Sequence, residues 1–275
     1  MKMLFNLAFI FFSTYLILVL LVFSFQHKLL YFPIVEKKIT ETPGSLGYIF
    51  ESVKIETEDH ETLYGWFIPT PGAIGTVLFF HGNAGNISHR LAYLPMFQQL
   101  KLNLFLFDYR GYGQSSGTPS ETGTYNDALA TWDYLTETRD IPSTEIVLYG
   151  ESLGGAIASW LATQRHSAML ILASTFTSIP ELAQAIYPFL PARWIARFEY
   201  NTLANLKSID LPVFIAHSPH DEIVPFENGE RLFQAANEPK QFLALANGHN
   251  DGFIFMREEW IDTLDVFIGA HLKTE

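Results

Sequence analysis

Residues 145–164 read EIVLYGESLGGAIASWLATQ, and the order of events in this stretch carries the fold class. Residues 145–149 form a short, mostly apolar run that suits a strand covered on both faces. It ends in Gly150-Glu151-Ser152-Leu153-Gly154 and passes directly into a stretch where Leu153, Ile157, Trp160, Leu161 and Gln164 fall on helical spacing. Strand, G-x-S-x-G and helix in immediate succession make a nucleophile elbow. The serine must sit on a strained turn, so Gly150 and Gly154 are expected to be there because a Cβ would not fit. The elbow also sets Ser152 at the positive end of a helix, where developing negative charge is stabilised. With 18 glycines in 275 residues the bare pentapeptide is a weak signal, and a tight turn carrying a bystander serine is the bland alternative. The flanking strand and helix favour the elbow.

The same alternation continues on both sides. Short apolar runs at 76–80, 102–107, 168–173, 212–216 and 241–246 read as buried parallel strands, and 51–57 with 61–69 as an antiparallel hairpin turning at Glu58-Asp59-His60. Helical stretches at 89–100, 124–138, 226–236 and 253–272 lie between or after them. Strands alternating with helices predict an α/β fold with a doubly wound, mostly parallel sheet.

A hydroxyl becomes a good nucleophile only when a base takes its proton and a third group orients that base. In elbow-bearing sheets these partners follow in the order acid, then histidine, on loops after later strands. The run 212–216 is followed by His217-Ser218-Pro219-His220-Asp221-Glu222, and 241–246 by Asn247-Gly248-His249-Asn250-Asp251. Both loops leave the carboxyl ends of strands, as Ser152 does, which is the edge where open α/β sheets bind ligands. Asp221 is therefore assigned as orienting acid and His249 as general base, with Glu222 and then Asp251 as alternative acids. His217, His220 and Asp221 lack a fourth ligand or helical register, so no metal is assigned to them.

The chemistry also needs two donors for an oxyanion. The loop after 76–80 reads His81-Gly82-Asn83-Ala84-Gly85-Asn86 and is small enough to aim a backbone N–H at the elbow. The N–H groups of Asn83 and Leu153 are assigned to this role, with His81 and Gly82 supporting the loop. The glycines do not form G-x-G-x-x-G, nor is there a Walker lysine, so nucleotide binding is set aside. Asp108 and Arg110, in the next such loop, read as turn-stabilising groups.

Residues 4–25 contain no charged side chain and are long enough, at roughly 33 Å as a helix, to cross a hydrocarbon core. A cleaved signal peptide is the competing reading, but the run is longer than usual and Ser24-Phe25-Gln26-His27 offers no small-x-small site. A single-pass anchor at 1–25, a juxtamembrane connector at 26–45 and a catalytic domain at 46–275 are expected. Lys2 and the N-terminal amine on one side nearly balance Lys28, Lys37 and Lys38 on the other, which leaves the orientation open. The net charge of −12 argues against sequence-independent nucleic-acid binding. The absence of cysteine excludes disulfides, thiolate metal sites and a cysteine nucleophile.

The segments HGNAGN (81–86), FDYRGYGQSSGTPSE (107–121), YGESLGG (149–155), DEIVPF (221–226) and NGHND (247–251), with FQHKLLYFP (25–33) after the apolar run, resemble the α/β-hydrolase superfamily, specifically its Bem46-like serine hydrolases. The resemblance implies an eight-stranded sheet with helices on both faces, a Ser152–Asp221–His249 triad, oxyanion donors at Asn83 and Leu153, and no cofactor. Members are assigned as esterases, thioesterases and peptidase-like hydrolases, so the resemblance leaves the substrate open. The expected function is cleavage of a small-molecule or lipid-like acyl ester or thioester. A peptidase, or a non-catalytic binding protein on the same fold, is the alternative. Residues 174–211 are expected to form a small helical cap, with Phe176, Tyr187, Phe189 and Trp194, together with Asn86, lining an acyl pocket; ordinary core packing is the competing reading for the aromatics.

Overall fold

In the computed structural model, which describes residues 1–33, 39, 41–250 and 258–272, eight strands form one sheet. They are β1 (Glu51–Glu56), β2 (Thr62–Ile68), β3 (Gly75–Phe80), β4 (Leu102–Asp108), β5 (Ile146–Glu151), β6 (Met169–Ala173), β7 (Val213–His217) and β8 (Lys240–Ala244). Their spatial order is β1-β2-β4-β3-β5-β6-β7-β8. The pairs β1/β2 and β2/β4 are antiparallel and all other neighbours are parallel. In β1 only Val53 and Ile55 are buried, the alternation of a strand with one wet face, whereas β3, β5, β6 and β7 are buried throughout.

Side chains alternate between two cores. Leu148 of β5 packs with Ala156, Ile157 and Leu161 of α4 (Leu153–Gln164) and with Trp132 of α3 (Glu121–Asp133). Val147 and Tyr149 face the other way, toward Phe97 of α2 (Leu94–Gln99) and Trp260 and Phe267 of α9 (Glu258–His271). Tyr149 stacks on Phe79 of β3 with centroids 4.9 Å apart.

The helix expected at 89–100 is split, because Asn86 caps a tight turn over Ile87–Tyr93 and the α-helix starts only at Leu94, with Pro95 in its first turn. The helix expected at 124–138 begins earlier, at Glu121, where Ser120 Oγ accepts the Gly123 N–H at 3.0 Å. The first residues expected for the last helix, 253–257, lie outside the described residues.

The chain leaves β3 toward β4 on one side and reaches β5 on the other, so the sheet changes winding direction between β3 and β5. That point is where such sheets open a ligand crevice at the carboxyl ends of their strands. Register aligns these ends: Phe80 pairs with Gly150, Glu151 with Ala173, Ala173 with Ala216, and His217 with Ala244.

Two segments border the cavity at this edge, the chain between β6 and β7 and the N-terminal helix. Between β6 and β7 run α5 (Ile179–Ile186), α6 (Ala192–Ile195) and α7 (Thr202–Leu206), and α8 (Glu227–Ala235) follows β7. The N-terminal helix α1 spans Lys2–Leu30, five residues beyond the expected end at Phe25, where the backbone leaves helical values (φ −109°, ψ 16°). One stripe of it, Tyr15, Val19, Val22, Gln26 and Leu30, is half-buried at spacings of four and three. The other apolar side chains of α1 are exposed, and the helix is long and apolar enough to cross a membrane.

Candidate active site

Ser152 has φ 52° and ψ −117°, a conformation that L-residues avoid. Its surroundings impose it. The Ser152 N–H donates to Ala173 O at 2.9 Å, and Ser152 O accepts Thr175 Oγ1–H at 2.7 Å and the Gly155 N–H at 3.0 Å. A Cβ at Gly150 would lie 2.5 Å from Gly154 O, and one at Gly154 would lie 2.0 Å from Phe80 O. Both glycines are thus required by close backbone approach.

His249, 97 residues further along the chain, sets Nε2 at 3.1 Å from Ser152 Oγ and Nδ1 at 2.7 Å from Asp221 Oδ2. With Nδ1–H donating to the carboxylate, Nε2 presents a lone pair to the serine hydroxyl. The other carboxylate oxygen, Asp221 Oδ1, accepts the N–H groups of Ile223 at 2.9 Å and Val224 at 2.7 Å. His217 Nε2 stands 3.4 Å from Oδ2 while donating to Val224 O at 2.9 Å. Burial pushes the Asp221 carboxyl up, but hydrogen bonds from His217, His249 and the Val224 N–H outweigh it and hold the group well below the usual carboxylate range.

Glu222, the alternative acid, points elsewhere: its Oε2 accepts the His249 backbone N–H at 3.0 Å. Ser218 Oγ donates to Asn247 O, tying the two loops together. His220 is exposed, and Asp251 lies outside the described residues.

Across the crevice, Asn83 and Leu153 flank Ser152 in one cavity wall, and among the described residues neither backbone N–H has an acceptor. Leu153 opens α4, so its N–H has no partner within the helix. His81 braces the loop, with Nδ1–H donating to Gly82 O at 2.7 Å and its carbonyl accepting Tyr109 Oη–H at 2.9 Å. Its Nε2 lies 3.5 Å from Asp108 Oδ1. Burial drives His81 down to about 3 and Asp108 up to about 8, which favours the neutral form of both in this buried pair. Arg110 pairs with Asp59 at 2.6 Å and Asp127 at 2.8 Å, which ties its turn to the β1–β2 hairpin and to α3, and it does not line the cavity that holds Ser152.

Residues 75–202 match the family model described as the alpha/beta hydrolase fold. The chain is 38% identical over 261 residues to the alpha/beta hydrolase domain-containing protein WAV2 of Arabidopsis thaliana, covering 86% of this chain and 85% of that one. It is 34% identical over 232 residues to protein bem46 of Schizosaccharomyces pombe, covering 80% and 77%. The chain belongs to the α/β-hydrolase family, as a Bem46-like member. Among solved structures, the Pyrococcus furiosus esterase Pf2001 superposes with a TM-score of 0.73 at 20% identity, over 89% of this chain and 98% of that one, which is a likeness of fold.

In this Bem46-like α/β hydrolase the crevice opens into a cavity of about 450 Å³, within the range of ligand pockets. Phe176 and Tyr187 line it as the sequence suggests, but Asn86, Phe189 and Trp194 do not. The Asn86 carboxamide is occupied as a cap, accepting Ser88 N–H at 2.9 Å and Ser88 Oγ–H at 2.6 Å. Phe189 and Trp194 point outward, 62% and 90% exposed.

Sequence reasoning missed the contribution of α1, whose Val22, Gln26, Leu29 and Leu30 line the same cavity as Ser152 and His249. The continued apolarity of Leu29-Leu30 on the helical stripe begun at Val22 and Gln26 was the available signal. It also missed His217 as a second neighbour of the Asp221 carboxylate.

Proposed function

We propose that this α/β hydrolase is a membrane-anchored serine hydrolase that cleaves carboxylic esters or thioesters. The reading rests on one observation: the hydrogen-bonded series Asp221–His249–Ser152 opens into a largely apolar cavity. Ser152 Oγ attacks the acyl carbon as its proton passes to His249 Nε2, and Asp221 stabilises the imidazolium. The carbonyl oxygen, now anionic, is received by the N–H groups of Asn83 and Leu153. Collapse expels the alcohol or thiol, which takes the proton from Nε2 and leaves an acyl-serine. Water, deprotonated by the same imidazole, attacks that ester and releases the carboxylic acid and free Ser152. Helix α1 serves as the anchor.

Peptide substrates fit less well. Among the described residues, the acidic and basic side chains lining the cavity, Arg90 and Glu151, pair with each other at 3.7 Å rather than standing apart to hold a peptide terminus. In the cap, Glu181 is engaged by Arg231 at 2.8 Å.

Labelling with a fluorophosphonate probe, followed by an acyl-ester series, tests this function. The wild type is expected to label and to turn over esters, and Ser152→Ala to do neither. Equal labelling of the two proteins would remove Ser152 from its role. Turnover of aminoacyl amides alone would turn the assignment to a peptidase.

A further inference from the structure

The N-terminal helix does more than hold the enzyme at a membrane. Val22, Gln26, Leu29 and Leu30 follow each other at spacings of four, three and one, a single face of α1, and that face closes the cavity in which Ser152 and His249 stand. The opposite wall is the apolar face of α5, with Ile179, Leu182, Ala183 and Ile186 at spacings of three, one and three. The space between two apolar helix faces is a seam with polar reacting groups at one end.

The seam is held together by specific bonds. The Gln26 carboxamide engages the main chain at the end of α6 through both its polar atoms, with Nε2–H donating to Ile195 O at 2.7 Å and Oε1 accepting the Arg197 N–H at 2.9 Å. An amide side chain on an apolar helix costs free energy unless its partners are met, so this pairing selects one seating of α1. Asn83, in the proposed oxyanion loop, touches the same helix, its Nδ2–H donating to Leu30 O at 3.0 Å while its carbonyl accepts the Phe32 N–H at 3.0 Å.

The seam runs into the apolar layer. Tyr15 Oη–H donates to Phe189 O at 2.9 Å, eleven residues or about 16 Å along α1 from Gln26. The tip of the α5–α6 segment beside it exposes Ile186, Tyr187, Phe189 and Trp194 at 44%, 45%, 62% and 90%. Aromatic side chains bared next to an apolar helix of spanning length match an interfacial belt. A bilayer that receives α1 therefore reaches the far end of the cavity, at Val22 and Ile186.

We propose that the substrate's acyl chain lies in the seam between α1 and α5 and enters it sideways from the bilayer, so that α1 is a specificity-determining wall of the active site. The occupant is the alkyl chain of a membrane-resident ester or thioester, with its carbonyl at Ser152. This deepens the proposed serine-hydrolase function and rests on it.

The test uses the full-length protein in phosphatidylcholine vesicles with p-nitrophenyl acetate, octanoate and palmitate. The wild type is expected to favour the longer chains. Val22→Trp fills the far end of the seam and should move the preference toward octanoate. The expected change in the palmitate-to-octanoate ratio is about tenfold, the burial of roughly two methylenes. A double variant, Phe189→Asp with Trp194→Asp, changes side chains outside the cavity. It should hydrolyse soluble acetate like the wild type but turn over vesicle-embedded palmitate about tenfold more slowly. An unchanged chain-length ratio in Val22→Trp, or loss by that variant on all chains together with wild-type palmitate turnover by the double variant, overturns the seam. Absence of Ser152-dependent labelling and of any ester turnover in the wild type overturns the underlying function instead, so the two failures are distinguishable.

Discussion

The carboxylate of Glu222 accepts the backbone N–H of His249 at 3.0 Å, while its neighbour Asp221 holds the ring of the same histidine at 2.7 Å. Two adjacent acids thus hold one histidine, one by its ring and one by its main chain. In the proposed triad Asp221 would set the tautomer of the base, and Glu222 the position of its loop.

Exchanging the two acids for amides should separate these tasks. Asp221→Asn removes the acceptor that keeps Nδ1 protonated and is expected to lower kcat by roughly 10³–10⁴-fold. Glu222→Gln keeps an acceptor oxygen for the His249 N–H and is expected to cost about tenfold or less. Steady-state kinetics on a short ester gives both values. Equal losses in the two variants would contradict the division.

Gly154→Ala brings a methyl group to within 2.0 Å of Phe80 O, a backbone atom in a buried strand. The elbow and β3 must separate, and the expected loss of stability is about 3 kcal/mol or more. Urea unfolding of the variant would show the midpoint shift. A wild-type midpoint would mean that the elbow is looser than its geometry implies.

Two buried aspartates should titrate stability in opposite senses. Asp221 has a folded pKa well below its unfolded value near 3.9, so its contribution is present above that value and is lost progressively as pH falls from there through the folded pKa. The stability advantage of wild type over Asp221→Asn is therefore expected to shrink between about pH 5 and pH 3.

Asp108 is raised by burial to about 8, so the folded state keeps a proton that the unfolded chain releases near 3.9. Its effect is that stability falls as pH rises from about 4 to about 8 and then levels. Asp108→Asn mimics the protonated acid: its oxygen, at the Oδ1 position, can keep the Ile87 N–H, now accepted at 2.9 Å. The variant is expected to gain on wild type steadily across that window in urea titrations. A constant difference would show Asp108 to be ionised in the fold.

Truncation separates anchoring from wall-building. Removing residues 1–25 leaves Gln26, Leu29, Leu30 and the Phe32 N–H bond to Asn83 in place, and should give a protein that still labels with a short fluorophosphonate. Removing residues 1–33 strips the α1 side of the cavity and the bonds of Asn83 to Leu30 and Phe32, and labelling should slow by about tenfold or more, the loss of at least one backbone-positioning bond at an oxyanion donor. Labelling rates measured side by side, with circular dichroism as a check on folding, decide the matter.

Local order in the chain determined much of this protein. Continuous apolar runs, the strand–elbow–helix passage at Ser152 and the loops after the later strands specify a parallel sheet with its chemistry at one edge, because strand period, turn glycines and helix spacing are read within a few residues. The uncharged run at the N-terminus likewise shows a helix of spanning length by composition alone. Tertiary structure decided what local order leaves equal. Asp221 and Glu222 are adjacent acids, and only the N–H groups of Ile223 and Val224 and the approach of His217 select the first for the ring. Asn86 looked available for substrate until its cap on the next turn occupied it, and Phe189 and Trp194 looked like lining until the α5–α6 segment turned them outward. The largest difference concerns α1. Its apolar side chains satisfy a lipid and a protein neighbour equally well, so which stripe meets the enzyme is settled by bonds made about 170 residues away in sequence, where Gln26 finds Ile195 and Arg197.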